Sequence, residues 1–366
     1  MPYLIVFVAA FVVASAGTPI ARRLSRRLGI VARPGGRRRH EGTVPKLGGL
    51  PVFFAFLVGA ALAWWLLPPV PPGANPDDAR LLRGVLWGSV LMFAGGLVDD
   101  RVELSPSVLF LIQFLAVAVA LGHQVFIQQF TLPIVGFYPL DWRNDVLAAV
   151  VVFLLTSLWI VGMVNTVNFL DGLDGLAVGV GTIAALLFAW HGRNLGQTTI
   201  AAFPLALAGA VLGFLPFNFA PARIFLGSAG AYFLGYALAT LAILSPAKIA
   251  TALLVLAVPI MDVAWQVFDR LRHGKSPFRG DRGHLHFRLS DFGLPTRTIV
   301  VGYYLVASVF GLVAIFATSP LTKLVMLVVL SVLVLVAMAW LSQNADKSKR
   351  GNHKEPGSQG EVEHGR

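Results

Sequence analysis

The chain alternates between long apolar runs and short segments in which nearly all the polar residues collect. A helix needs roughly 20 predominantly apolar residues to cross the hydrocarbon of a bilayer. Eleven runs near that length predict eleven membrane-spanning helices, at about 2–21, 47–67, 81–98, 107–122, 145–165, 175–190, 198–216, 225–244, 249–265, 298–317 and 321–341. The expected fold is therefore an all-α polytopic membrane protein. The first run begins at residue 2 without a basic leader or a small-residue cleavage site, so it reads as a retained anchor rather than a signal peptide.

The basic residues alternate with the spans. Arg22, Arg23, Arg26, Arg27, Arg33, Arg37, Arg38, Arg39 and Lys46 follow the first span, and Arg270, Arg272, Lys275, Arg279, Arg282, Arg288 and Arg297 follow the ninth. The connections of opposite parity hold only Arg80, Arg143, Arg193 and Lys248. By the positive-inside rule the two rich loops are cytoplasmic. The same parity puts four polar clusters at the cytoplasmic face: Asp99-Asp100, Asn168–Asp174, Phe217–Gly230 and the loop carrying His284 and His286. This predicts one site that takes a soluble substrate and a membrane-embedded one.

Composition agrees. Hydrophobic residues make up 56%, charged residues 13%, and the mean hydropathy is +0.74, which excludes an ordinary soluble domain. A net charge of +11 would suggest nucleic acid in a soluble protein; here its placement marks topology, and no nucleic-acid partner is expected. With no cysteine, disulfides, thiolate metal sites and thiol nucleophiles are absent. Residues 1–341 form one membrane domain, Pro68–Asp78 reads as a stiff outer loop, and the polar tail 342–366 is expected to be disordered.

The richest segment is Asn165–Gly175, NTVNFLDGLDG. Carboxylates in or beside spans are costly, so they are functional candidates by default. Gly172 and Gly175 let the backbone turn, and the Asp171 and Asp174 oxygens suit a hard cation such as Mg²⁺. A polar turn capping two helices is the plainer alternative. Asp99 and Asp100 repel one another, which suits a shared divalent ion or a proton acceptor beside a phosphate, or else a solvated cap before Pro106. Gly42–Pro51, which contains Lys46, is glycine-rich enough to admit a phosphate or sugar. Arg223 suits a phosphate or simply snorkels, and Phe225 suits a stacked base or membrane packing. Gly274-Lys275-Ser276 is not a P-loop, because the first glycine of that motif would fall at Asp269. Arg279, Arg282 and Arg288 with His284 and His286 form a dense anion-binding set suited to a pyrophosphate. Acidic groups for a divalent ion beside basic groups for phosphates predict Mg²⁺-dependent phosphoryl transfer at a membrane face. A secondary transporter is disfavoured, since transporter sites lie near the midplane.

Read together, these segments resemble the polyprenyl-phosphate N-acetylhexosamine-1-phosphate transferases. The resemblance rests on PKLGG within His40–Gly49, on GLVDD (96–100) continuing into ELSP, and on NTVNFLDGLDGLA (165–177). FNFAPARIFLG (217–227), Pro259–Asp262 and SPFRGDRGHLHFRL complete it. It covers nearly all of residues 1–341. The resemblance implies a cell-membrane enzyme in which a polyprenyl phosphate attacks the β-phosphorus of a UDP-N-acetylhexosamine, UDP-N-acetylglucosamine by the form of the last loop, and releases UMP. It implies Mg²⁺, with Mn²⁺ as a substitute, and leaves a homodimer open. By similarity Asp99 and Asp100 lie beside the prenyl phosphate, Asn168 ligates the metal, and Asp171 and Asp174 orient the nucleotide. Phe225 stacks on uracil, and Lys46, Arg279, Arg282, His284 and His286 contact phosphates and sugar.

Three positions depart from the family pattern. Ser228 stands where a metal-binding Asp is usual, Leu109 where a basic residue is usual, and Phe287 where a second adjacent His is usual. A hydroxyl is a weaker ligand for a hard cation than a carboxylate. The alternative reading is thus a catalytically weakened relative that binds lipid phosphate or nucleotide without efficient turnover.

Overall fold

The computed structural model describes residues 1–32, 42–68, 77–132, 136–244, 246–272, 274, 283–317 and 319–352. Its helices are α1 (Pro2–Arg27), α2 (Gly49–Leu66), α3 (Asp77–Val102), α4 (Pro106–Gly122), α5 (Val146–Leu170), α6 (Leu176–Asn194) and α7 (Thr198–Asn218). They continue with α8 (Gly227–Ile243), α9 (Pro246–Val255), α10 (Ala257–Arg272), α11 (Leu285–Asp291), α12 (Thr296–Phe316) and α13 (Pro320–Asn352). Among the described residues, eight helices are long and apolar enough to cross a membrane, or nine if the bent pair α9–α10 counts as one span. The helices α4 and α8 are apolar but shorter, at 17 residues each. The protein is an all-α polytopic membrane protein.

The organising element is α8. Nearly every residue from Gly227 to Ile243 is buried, and α2, α3, α5, α6, α7 and α9 pack around it. A helix apolar on all sides has no solvent face to present, so it belongs in the middle of a bundle. Small residues let its neighbours approach: a Cβ on Gly49 would collide with the Gly230 backbone where α2 starts beside α8. At the periphery, α1, α5, α12 and α13 turn Leu, Val and Phe side chains outward, as a lipid-facing surface requires.

Three details depart from the expected segments. The helix α5 runs through Leu170 rather than ending at 165, so Asn165, Thr166 and Asn168 are helical and the turn is confined to Asp171–Gly175. Its 25 residues span about 37 Å at 1.5 Å each, longer than the roughly 30 Å of hydrocarbon, so the polar last turns emerge from it. The expected ninth span is not one helix but two, meeting at Leu256 with a bend of 75°. Pro259 supplies the reason: it lacks the N–H that would bond to the Val255 carbonyl, and proline fits the first turn of the new helix α10. The last helix continues past 342 without a break to Asn352, and residues 353–366 lie outside the described residues.

Two short hairpins complete the fold. Strands β1 (Val31–Ala32) and β2 (Val44–Pro45) pair antiparallel beyond α1, and β3 (Gln129–Leu132) pairs with β4 (Gly136–Pro139) between α4 and α5. The first hairpin fixes the approach to Lys46. The Lys46 N–H donates to the Ile30 carbonyl at 3.2 Å and to Ser25 Oγ at 3.0 Å.

Candidate active site

The start of α8 is the first half of the site. Its opening amides have no cap from their own chain segment, because Leu226 has no capping side chain. Asp100, on the last turns of α3, supplies the cap from outside. The Ser228 N–H donates to Asp100 Oδ1 and the Ala229 N–H to Oδ2, each at 3.0 Å. A carboxylate here answers both the orphan donors and the positive end of the helix dipole. Lys46 Nζ then lies 3.3 Å from Asp100 Oδ1, with both side chains buried. Gly227, at φ +77°, makes the tight entry to α8, and a Cβ there would press on the Asp100 carboxylate at 2.7 Å.

The backbone of Phe225-Leu226 is stitched to the approach of α2. Phe225 N–H donates to the Pro45 carbonyl at 2.8 Å, Gly48 N–H to the Phe225 carbonyl at 3.0 Å, and Gly49 N–H to the Leu226 carbonyl at 2.7 Å. This holds the half-buried Phe225 ring beside the Lys46 segment. Asp99 points another way. Its Oδ1 accepts from the Leu104 N–H at 2.9 Å, and it interacts with the Tyr232 hydroxyl, which Ser228 also contacts. Thus Asp99, Ser228 and Tyr232 form one polar group around the first turn of α8.

The second half begins where α5 ends. Gly175, at φ +84°, starts α6; its N–H donates to Asn218 Oδ1 at 3.1 Å, and its carbonyl accepts from the Tyr304 hydroxyl at 2.6 Å. Asp174 Oδ2 accepts the Ala222 N–H at 2.8 Å, tying this turn to the segment between α7 and α8. Arg297, at the start of α12, donates to the Ala220 carbonyl at 2.8 Å. Asn168, half-buried on the last turns of α5, has no hydrogen-bond partner among the described residues. Asp171 caps the C-terminus of α5.

Over this turn sit the two histidines of α11. His284 Nδ1 is 3.1 Å from Asp262 Oδ2 on α10, and the Leu285 N–H donates to Asp262 Oδ1 at 2.9 Å. In the neutral ring this places the proton on Nδ1 and leaves Nε2 as an acceptor. The His284 ring lies 5.0 Å from that of Phe169 and is nearly parallel to His286, 5.7 Å away. His286 is 1% exposed, and neither ring nitrogen has a hydrogen-bond partner among the described residues. Its Nε2 stands over Gly172, where a Cβ would come within 2.8 Å of it. Burial, and then the neighbouring His284, push its pKa down to about 3. Gln266 and Arg288 both donate to the Gly283 carbonyl, which fixes the start of α11.

The predicted residues therefore gather at one end of the bundle: Lys46, Asp99, Asp100, Asn168, Asp171, Asp174, Phe225, Ser228, His284 and His286. Arg279 and Arg282 lie outside the described residues. Of the three unusual positions, Ser228 belongs to the polar group just described, Leu109 packs against the core, and the Phe287 ring covers His286 at 4.3 Å. Sequence reasoning assigned no role to Asp262, though a lone carboxylate within an apolar run was itself a signal. It also left unpaired Gln113 and Asn165, whose side chains bond across α4 and α5 at 2.8 Å.

No group of three or more His, Asp or Glu side chains that could hold a metal ion occurs among the described residues. Asp100 is a poor candidate ligand, since Lys46 and two amides already occupy its oxygens. Asn168, Asp171 and Asp99 carry oxygen donors of the kind Mg²⁺ prefers.

Comparison with known proteins gives the family. The sequence profile described as glycosyl transferase family 4 matches residues 82–246. A probable undecaprenyl-phosphate N-acetylglucosaminyl 1-phosphate transferase of Bacillus subtilis is 31% identical over 82% of this chain and 81% of its own length. A decaprenyl-phosphate N-acetylglucosaminephosphotransferase of Mycobacterium tuberculosis is 34% identical over 82% of this chain and 78% of its own. An undecaprenyl-phosphate alpha-N-acetylglucosaminyl 1-phosphate transferase of Escherichia coli K12 is 29% identical over 81% and 79%. With its spans, its acidic turns and its histidine helix in family order, this chain belongs to glycosyl transferase family 4, the polyprenyl-phosphate N-acetylhexosamine-1-phosphate transferases.

Proposed function

We propose that this protein transfers N-acetylglucosamine 1-phosphate from its UDP conjugate to a polyprenyl phosphate at the cytoplasmic face of the cell membrane. An oxygen of the lipid phosphate bonds to the β-phosphorus of the nucleotide sugar. The bond from that phosphorus to the bridging oxygen breaks, UMP leaves with the electron pair, and a polyprenyl-diphospho-sugar remains. The observation that carries the reading is the convergence of four distant polar segments at one end of the bundle, supported by the names of the relatives.

Each half of the site suits one task. Lys46 and Asp100 fix the start of α8 beside Phe225, while Asp99, held by the Leu104 N–H and beside Tyr232, would be the acceptor next to the lipid-facing end of α3. Asp262 holds His284 by Nδ1, which leaves its Nε2 as an acceptor beside Phe169 that would bond a hydroxyl or protonated phosphate oxygen, while His286 Nε2 stands over the turn at Gly172. Mg²⁺, when bound, would neutralise developing phosphate charge, held by Asn168 and Asp171 with the remaining oxygens from substrate and water. Mn²⁺ would serve the same donor set. We also assign eleven crossings: eight long helices, the bent pair, and the two 17-residue helices. The α1 end carrying Arg22, Arg23, Arg26 and Arg27 would be cytoplasmic.

The test is purified protein in liposomes with polyprenyl phosphate, Mg²⁺ and UDP-N-acetylglucosamine labelled in the sugar. A labelled lipid product with stoichiometric UMP is expected. No product, under conditions where the Bacillus subtilis relative forms one, overturns the reading.

A further inference from the structure

At the opposite end of the bundle, away from every residue placed in the site, α1, α6 and α7 enclose a trough of about 630 Å³. That volume is within the range of small-molecule sites. The trough lies at the first turn of α1, the last turn of α6 and the first turns of α7, whereas all three helices meet the site with their other ends. Both α1 and α6 pack on α7, which makes its floor.

Its lining is amphipathic along one line. Leu186, Trp190 and Arg193 follow one another at i, i+4 and i+7 on α6, so they share one face. Leu186 is 40% exposed and Trp190 53%, outward from an apolar helix and hence into lipid. Leu205 of α7 adds to the apolar wall. Arg193 closes the trough at the membrane surface. Its guanidinium lies over the Tyr3 ring, 5.1 Å from the centroid, and the Tyr3 hydroxyl donates to the Thr198 carbonyl at 3.1 Å, which pins that ring. Among the described residues, no carboxylate or carbonyl accepts from Arg193. A positioned cation whose donors meet no acceptor among the described residues, one helical turn above a lipid-facing apolar channel, complements a phosphodiester joined to an acyl chain.

We propose that this trough is a binding site for one anionic phospholipid of the outer leaflet, its phosphate on Arg193 and an acyl chain along Trp190, Leu186 and Leu205. A guanidinium prefers a phosphate with net negative charge, while the aromatic pair marks the depth of the headgroup. The lipid would hold α1 and α6 together on α7 at the end remote from the transfer site. This inference does not depend on the transfer reading.

Native mass spectrometry of the full-length protein in detergent tests it, with added phosphatidylglycerol, phosphatidylcholine or polyprenyl phosphate. Wild-type protein should retain one phosphatidylglycerol in preference to phosphatidylcholine. Arg193→Gln should weaken that retention by about tenfold or more, as loss of a charge-assisted contact implies. Leu205→Trp, which fills the channel and keeps the arginine, should also abolish it, whereas Arg143→Gln at the same end should not. Equal retention by wild type and both trough variants would overturn the proposal, as would retention of phosphatidylcholine equal to that of phosphatidylglycerol. Arg193-dependent retention of polyprenyl phosphate alone would overturn it too.

Discussion

Asp100 and Lys46, far apart in the chain, form a buried ion pair of 3.3 Å whose carboxylate also caps the first turn of α8. The pair has a structural consequence separable from catalysis. Removing one partner of a buried pair leaves an uncompensated charge, at a cost of about 3–5 kcal/mol, whereas replacing both can be nearly neutral. Lys46→Met should therefore lower the thermal unfolding midpoint in detergent strongly. The double variant Lys46→Met, Asp100→Asn should recover much of that loss, since an asparagine can still cap α8. Equal loss in both would mean that the pair is not coupled.

Asp262 holds His284 Nδ1 at 3.1 Å, so in the proposed reaction it would act as a positioning residue for that ring. Asp262→Asn preserves size but presents a donor to Nδ1, which favours the other tautomer and puts the proton on Nε2, so that Nε2 no longer accepts. The expected result is a fall in kcat of about 100-fold with the unfolding midpoint changed much less than by Lys46→Met. Asp262→Glu should restore part of the rate. Unchanged turnover in Asp262→Asn would show that the orientation of His284 is immaterial.

His286 makes stability depend on pH. Its folded pKa is about 3, while an unfolded histidine titrates near about 6.5. Between those values the unfolded chain binds a proton that the folded protein does not, so stability falls as pH drops from about 6.5 toward 3. One such group changes stability by at most about 1.4 kcal/mol per pH unit. In His286→Leu the drop in unfolding midpoint between pH 7 and pH 5 should be smaller than in wild type. Parallel profiles would refute this origin.

Ser228→Asp would put a third carboxylate beside Asp99 and Asp100. Without a divalent ion the added repulsion should lower the unfolding midpoint, and millimolar Mg²⁺ should restore it beyond its effect on wild type. A Mg²⁺ response identical to that of wild type would place any metal away from the start of α8.

The absence of native cysteine allows clean topology mapping. Arg223→Cys, on an exposed residue at the site end, should react with an impermeant maleimide only from the cytoplasmic side, and Arg193→Cys only from the outer side. Labelling of both from the same side would remove the topological basis of the proposed reaction.

The helical architecture was legible because a spanning helix must be apolar over its whole length, a condition visible residue by residue. Each of the eleven apolar runs coincides with a helix or the bent pair, and the parity of the arginines grouped the polar segments that meet at one end. The lengths were less legible. Thr166 and Asn168 looked like loop because polar residues end a hydrophobic run, yet backbone hydrogen bonding carries α5 on through them. The bend at Leu256 follows from Pro259, whose missing donor leaves the Val255 carbonyl without its helical partner.

The sequence by itself determined that this is a membrane bundle with an acidic and basic site at one end, because bilayer burial penalises every polar residue without a purpose. Only the tertiary structure decided the partners: that Asp100 belongs to Lys46 and α8, Asp262 to His284, and Arg193 to Tyr3. Such pairings join residues on different helices, and their geometry is set by how the helices pack around α8, which no local pattern encodes.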